Sequence, residues 1–181
     1  MNTLEAERMI GQTVRIWPYA RGLYPRDTLY RLWRVIEECG AGPKLFWGSH
    51  DPATIHSDLT AFVKFFDDTQ TRCLLVVTTP DAQEIAGAIW FDDFVPQYRC
   101  FGSIFIRPKY AGAPAMEAVH LALNYAFTAL DVRQVWGVTP WKTAKALCQR
   151  CGFDVVATLP GLTQLDGIPR DVTILRKMRE S

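Results

Sequence analysis

Nothing in the 181-residue sequence approaches the ~18 consecutive apolar residues that a membrane span requires. The opening Met1-Asn2-Thr3-Leu4-Glu5 lacks the basic and apolar pattern of a secretory signal, so a cytoplasmic location is expected. Charge of one sign is also missing. The formal net charge is +1, from 20 Lys and Arg against 19 Asp and Glu, and the densest basic cluster is the stretch 170–179. Neither nucleic acid nor an acidic membrane surface is therefore an expected partner. No histidine and cysteine set completes four zinc ligands, and no metal is expected. No Ser-His-Asp arrangement and no strongly matching nucleotide motif occurs. The five cysteines, Cys39, Cys73, Cys100, Cys148 and Cys151, are odd in number and spread apart. Free thiols in a reducing compartment fit them better than a disulfide framework.

What is present suits one α+β domain over residues 1–181. Hydrophobic residues make up 49% of the chain, enough for one core and little for two. The first ten residues are expected to form a helical lead-in, and Thr13 to Trp17 alternates as a strand does. Pro25 and Asp27 open a helix with Leu29, Leu32, Trp33 and Ile36 on one face, ended by Gly40 and Gly42. Asp51 and Pro52 then start a second helix, striped by Ile55, Leu59, Phe62, Val63 and Phe66. Strands are expected at Cys73–Thr78 and Glu84–Phe91, with a loop over 92–97 and a strand from Tyr98 to Ile106. A helix follows to about Leu130, then a strand at Gln134–Val138 and a helix ending at Cys151-Gly152. Two paired strands, Phe153–Leu159 and Asp171–Lys177, close the order around Gly161 and Gly167. The apolar strand faces require the helices as cover.

The stretch Arg107-Pro108-Lys109-Tyr110-Ala111-Gly112-Ala113-Pro114-Ala115 joins the apolar strand Ile104-Phe105-Ile106 to a helix. A small-residue turn of this kind presents unpartnered N–H groups and the helix dipole to an anion. It reads equally as an ordinary connection whose geometry Gly112 and Pro114 set.

With the element order, this turn resembles the GNAT-type acyltransferases over nearly the whole chain, and similar divergent versions are phage-encoded. The family's turn reads Pro, an aromatic, Arg or Gln, Gly, any residue, then Gly or Ala. Pro108, Tyr110 and Gly112 match it, whereas Ala111 and Pro114 depart from it. Pro114 offers no N–H, and Lys109 is a candidate for compensating charge. The resemblance implies acetyl-CoA as co-substrate, held by main-chain groups near Phe105, Ile106 and Arg107 and by Tyr110, Ala111, Gly112, Ala113 and Ala115.

Counting back from Gly152-Phe153, the family's tyrosine, alanine and asparagine positions hold Cys148, Ala144 and Trp141. The resemblance thus adds Trp141 and Ala144 to the cofactor residues. It places Cys148 where a general acid protonates the leaving thiolate, while the helical spacing makes Cys148 a core residue beside Leu147 and Cys151. The pair Cys148 and Cys151 sits at a helix C-terminus, where the dipole opposes a redox role. Asp92 and Asp93 end a strand that in this fold faces the acceptor amine, and they are either acceptor-binding carboxylates or turn formers. His120 aligns with Met116, Leu123 and Phe127 and is expected in the core, while His50 and His56 suit neither a metal nor a relay.

The activity implied is direct attack of an amine, on a small molecule or a protein, on the thioester of acetyl-CoA. The alternative is a catalytically inactive GNAT-like domain used for binding or assembly. Six tryptophans leave apolar material for a homodimer.

Overall fold

The computed structural model describes residues 9–19, 27–47, 52–68, 71–165 and 167–180. The architecture is α+β, with a mainly antiparallel sheet flanked by helices. By internal contacts the chain forms two compact units, residues 1–92 with 103–122 and residues 93–102 with 123–181.

The first unit holds β1 (Met9–Ile10), β2 (Arg15–Pro18), α1 (Asp27–Glu38), α2 (Gly42–Leu45), α3 (Pro52–Ser57), α4 (Leu59–Asp67) and β3 (Cys73–Thr78). It shares β4 (Ile85–Val95), β5 (Arg99–Ile106) and α5 (Ala113–Thr128) with the second, and its strands run in the order β1-β2-β3-β4-β5. Helix α1 buries Leu29, Leu32 and Ile36, the stripe its spacing predicts, and stops at Gly40 with φ +57°. These residues pack with Phe46, Phe62, Phe66, Leu74, Val76 and Trp90 into one core. The Phe46 ring lies 6.2 Å from Phe62, 6.5 Å from Phe66 and 6.0 Å from Trp90. Strand β3 is buried along both faces, which explains its unbroken apolar run.

Several expectations change here. The helical lead-in fails at Met9 and Ile10, which pair as a strand with Ile16 and Arg15. The single helix over 52–66 is two, because Asp58 takes an extended conformation and its Oδ1 accepts from the Thr60 N–H at 2.8 Å. Gly42 opens α2 instead of ending α1, and a Cβ on it would meet His56 Cβ at 2.5 Å. The loop over 92–97 is mostly strand, since β4 runs to Val95 and turns tightly through Gln97 at φ +58°. His120 is exposed. The buried face of α5 is instead Ala115, Ala118, Val119, Ala122, Leu123 and Ala126, small side chains that let the helix approach closely. Pro25, His50 and Asp51 lie outside the described residues.

Glu117 of α5 holds the β1–β2 turn. Its carboxylate accepts from the N–H groups of Gln12 (2.6 Å), Thr13 (2.7 Å) and Val14 (3.1 Å) and from the Thr13 hydroxyl (2.5 Å). Burial pushes its pKa up, but the Thr13, Gln12 and Val14 bonds together hold it below the ordinary 4.5. A carboxyl with a depressed folded-state pKa stabilises above its unfolded value, and that stability is lost as pH falls through the folded one. Glu117→Gln is expected to cost about 1–2 kcal/mol, because an amide oxygen cannot serve four donors in this half-exposed site. Melting curves should show that cost near neutrality and shrink it as pH falls below the ordinary glutamate value and through the lower folded one.

The second unit orders its strands β5-β6-β8-β7, with β6 (Gln134–Thr139), α6 (Lys142–Arg150), β7 (Asp154–Leu165) and β8 (Ile168–Met178). Strand β5 pairs with β6 in parallel, from Arg99 opposite Gln134 to Phe101 opposite Trp136. The pairs β6–β8 and β7–β8 are antiparallel. Strands β7 and β8 are longer than their sequence suggests, because register shifts absorb the Pro-Gly stretch between Leu159 and Thr163. Gly161, inside that shift at φ +61°, donates its N–H to Asp171 Oδ1 at 3.0 Å.

Candidate functional site

Strand β5 leaves the sheet through Arg107, whose N–H donates to the Ala86 carbonyl at 2.9 Å. Backbone groups of successive strand residues alternate in direction. Arg107 and Phe105 therefore point their main chain toward β4, and Ile106 points its own away. Gly87 of β4 makes this approach possible, since a Cβ there would overlap the Phe105 carbonyl oxygen and come within 3.0 Å of Ile106 Cα.

The chain then makes a 3-10 turn, Pro108–Tyr110, and enters α5 through Gly112 at φ +84°. No other residue adopts that conformation as cheaply. A Cβ on Gly112 would meet nothing within 4 Å, so the surface in front of the turn is open. Ala111, Gly112 and Ala113 are exposed and Ala115 is buried. The first turn of α5 carries no acidic residue, and Pro114 removes one of its N–H donors.

The charge of the turn differs from the sequence expectation. Glu84 pairs with Lys109 Nζ, accepts from the Tyr110 hydroxyl at 2.7 Å, and lies 3.7 Å from Arg107. The Lys109 hydrogen bond holds the Glu84 carboxyl below its ordinary range, and Glu84 in turn raises Lys109. The Tyr110 phenol is pushed up, first by burial and then by Glu84. Lys109 is therefore committed within the protein. Nothing in the sequence spacing pointed to Glu84, 25 residues away from Lys109.

The two acidic candidates are each ion-paired. Asp92 lies 4.0 Å from Arg72 in the first unit. Asp93 lies 3.2 Å from Arg99 in the second, with its own φ at +46°. Both sit inside β4, where opposite charges hold them on the strand.

Trp141, Ala144 and Cys148 belong to α6 in the second unit. Trp141 is the N-cap residue, and its side chain makes no cap hydrogen bond. Cys148 is half-buried, and burial followed by its neighbour Cys151 pushes the thiol up to about 11. Cys151 is buried and shifted upward by burial. Both thiols stay protonated at neutral pH, as packing residues do. Trp17, Trp33 and Trp47 are half-buried, and the Trp33 indole donates to the His56 carbonyl at 2.9 Å. Among the described residues, no group of three His, Cys, Asp or Glu is placed to hold a metal, and no helix is long and apolar enough to cross a membrane.

No family model matches the chain, and no curated protein matches it by sequence. Its fold has solved counterparts. A spermidine N-acetyltransferase from Vibrio cholerae, in complex with CoA and spermine, gives a TM-score of 0.71 at 18% identity, over 90% of this chain and 95% of that one. A probable acetyltransferase of the GNAT family from Chromobacterium violaceum gives 0.69 at 22% identity, over 96% and 86%. A ribosomal α-N-protein acetyltransferase in complex with coenzyme A gives 0.74 at 12% identity, over 94% and 96%. At these identities the likeness establishes the fold.

Proposed function

We propose that the protein is an N-acetyltransferase that moves an acetyl group from acetyl-CoA to an amine of a small molecule or protein. The observation that carries this reading is the path of β5 into α5 through Gly112 at φ +84°, open in front and free of acidic residues in the first helical turn. Helix N-terminal amides on such a turn favour an anion such as a pyrophosphate. The solved proteins of this fold include two in complex with coenzyme A.

In this reading the main chain of Ala111, Gly112, Ala113 and Ala115 holds the phosphates, and that of Ile106, flanked by Phe105 and Arg107, takes the amide arm. Tyr110 is steered by Glu84. The bound group supplies an activated thioester. Asp92 or Asp93 binds the acceptor's ammonium group and accepts the proton it gives up. We assign Cys148 to packing. A thiol at about 11 would give its proton uphill to a thiolate of ordinary basicity near ~8.5.

A second reading, a GNAT-like module that binds without catalysis, is favoured by two features of the turn. Glu84 occupies Lys109, and Pro114 lacks an N–H. Mass detection of acetylated acceptor separates the two, using the whole protein, acetyl-CoA, and a panel of polyamines, amino acids and peptide N-termini. Acetyl-CoA-dependent product on at least one amine is expected. A panel with no product above the uncatalysed rate would favour the binding module.

A further inference from the structure

The second unit contains a cavity of about 570 Å³ where α6 begins beside β6, β7 and β8. That size suits a small organic ligand. Its floor is a row of threonines. Thr139 stands opposite Thr173 across β6 and β8, and Thr158 stands opposite Thr173 across β7 and β8. Cross-strand neighbours of this kind lie side by side on one face. Thr173 is buried at 6% exposure, a setting in which isosteric valine would serve packing better than a hydroxyl, while the buried Thr139 hydroxyl accepts from the Trp141 N–H at 3.1 Å where α6 begins. Around the floor stand Lys142 and Lys145 of α6 and Arg170 of β8. Among the described residues no ion pair involves any of these three cations. The lining holds one carboxylate, Asp171, which is engaged by the Gly161 N–H at 3.0 Å. The first turn of α6 adds no acidic residue.

We propose that this cavity is a binding site for a multiply charged small anion bearing carboxylate or phosphate groups. The three cations supply the attraction, the threonine hydroxyls supply neutral hydrogen bonds, and Trp141 with Pro140 and Pro169 forms the apolar walls. A polycationic amine is disfavoured by the same charges. The site is lined entirely by residues of the second unit.

Calorimetric titration of the whole protein at low salt with citrate, pyrophosphate and spermine tests it. Citrate or pyrophosphate is expected to bind, and whichever binds more tightly identifies the carboxylate or phosphate source. Lys142→Gln with Lys145→Gln should weaken that binding at least tenfold, and Thr173→Val should weaken it without changing side-chain volume. Gly112→Val, which alters the α5 turn, should keep the part of the binding that the lysine and threonine variants remove. The proposal is overturned if neither anion binds, if spermine binds as well as they do, or if Gly112→Val abolishes binding while the lysine and threonine variants keep it. If the double lysine variant does not fold, Thr173→Val alone decides.

Discussion

Phe66→Ala should produce the largest loss of stability of any single truncation in the first unit. Phe66 is 1% exposed, and its ring lies 4.9 Å from Phe62, 5.0 Å from Phe65 and 5.5 Å from Trp90. Removing it forfeits the transfer energy of the ring and leaves a cavity walled by rigid aromatics that cannot collapse into it. Edge-to-face ring pairs add to the loss. The expected cost is about 3–5 kcal/mol, near the whole margin of many domains, and the melting temperature should fall by on the order of 10 °C. Thermal denaturation followed by circular dichroism reads it. A fall of a degree or two would mean that the aromatic cluster is loosely packed.

The second large effect runs against propensity. At an open strand position Gly→Ala gains about 0.5–1 kcal/mol, because alanine has less chain entropy to lose. At Gly87 the new Cβ would overlap a backbone atom, the Phe105 carbonyl oxygen, which no side-chain rotation relieves. Gly87→Ala is therefore expected to destabilise by about 2–3 kcal/mol, the upper part of the range for overpacking. It should also disturb the end of β5, where the Arg107 N–H meets Ala86. A melting temperature equal to or above wild type would show that β4 and β5 do not approach this closely.

Much of the fold was legible because its signals are local and periodic. Leu29, Leu32 and Ile36 mark the face of α1, and the apolar run Cys73–Thr78 is β3 to the residue. The misread elements share a different cause. Asp58 interrupts a continuous apolar stripe by bonding the Thr60 amide, a local competition that hydrophobic periodicity does not register. Asp92 and Asp93 stood open between acceptor-binding carboxylates and turn formers, because their partners Arg72 and Arg99 come from elsewhere in the chain and do not show in the local sequence. In α5 the larger residues Met116 and Phe127 suggested one face, whereas alanines chosen for close approach define the buried one. The candidate site was legible as a strand, a turn and Gly112. Its charge balance was not, because Glu84 meets Lys109 and Tyr110 only through the pairing of distant strands. The cavity on α6 was hidden for the same reason, its threonine floor being assembled from three strands.

The most direct test of the central claim is the melting temperature of the whole protein with and without millimolar acetyl-CoA, run beside Gly112→Val. A ligand at a hundred times its dissociation constant stabilises by ~2.7 kcal/mol, so wild type should melt several degrees higher. Gly112→Val, which forces a β-branched residue to φ +84° in front of the helix amides, should lose most of that shift. No shift in wild type, or an equal shift in the variant, would contradict a coenzyme site at the start of α5.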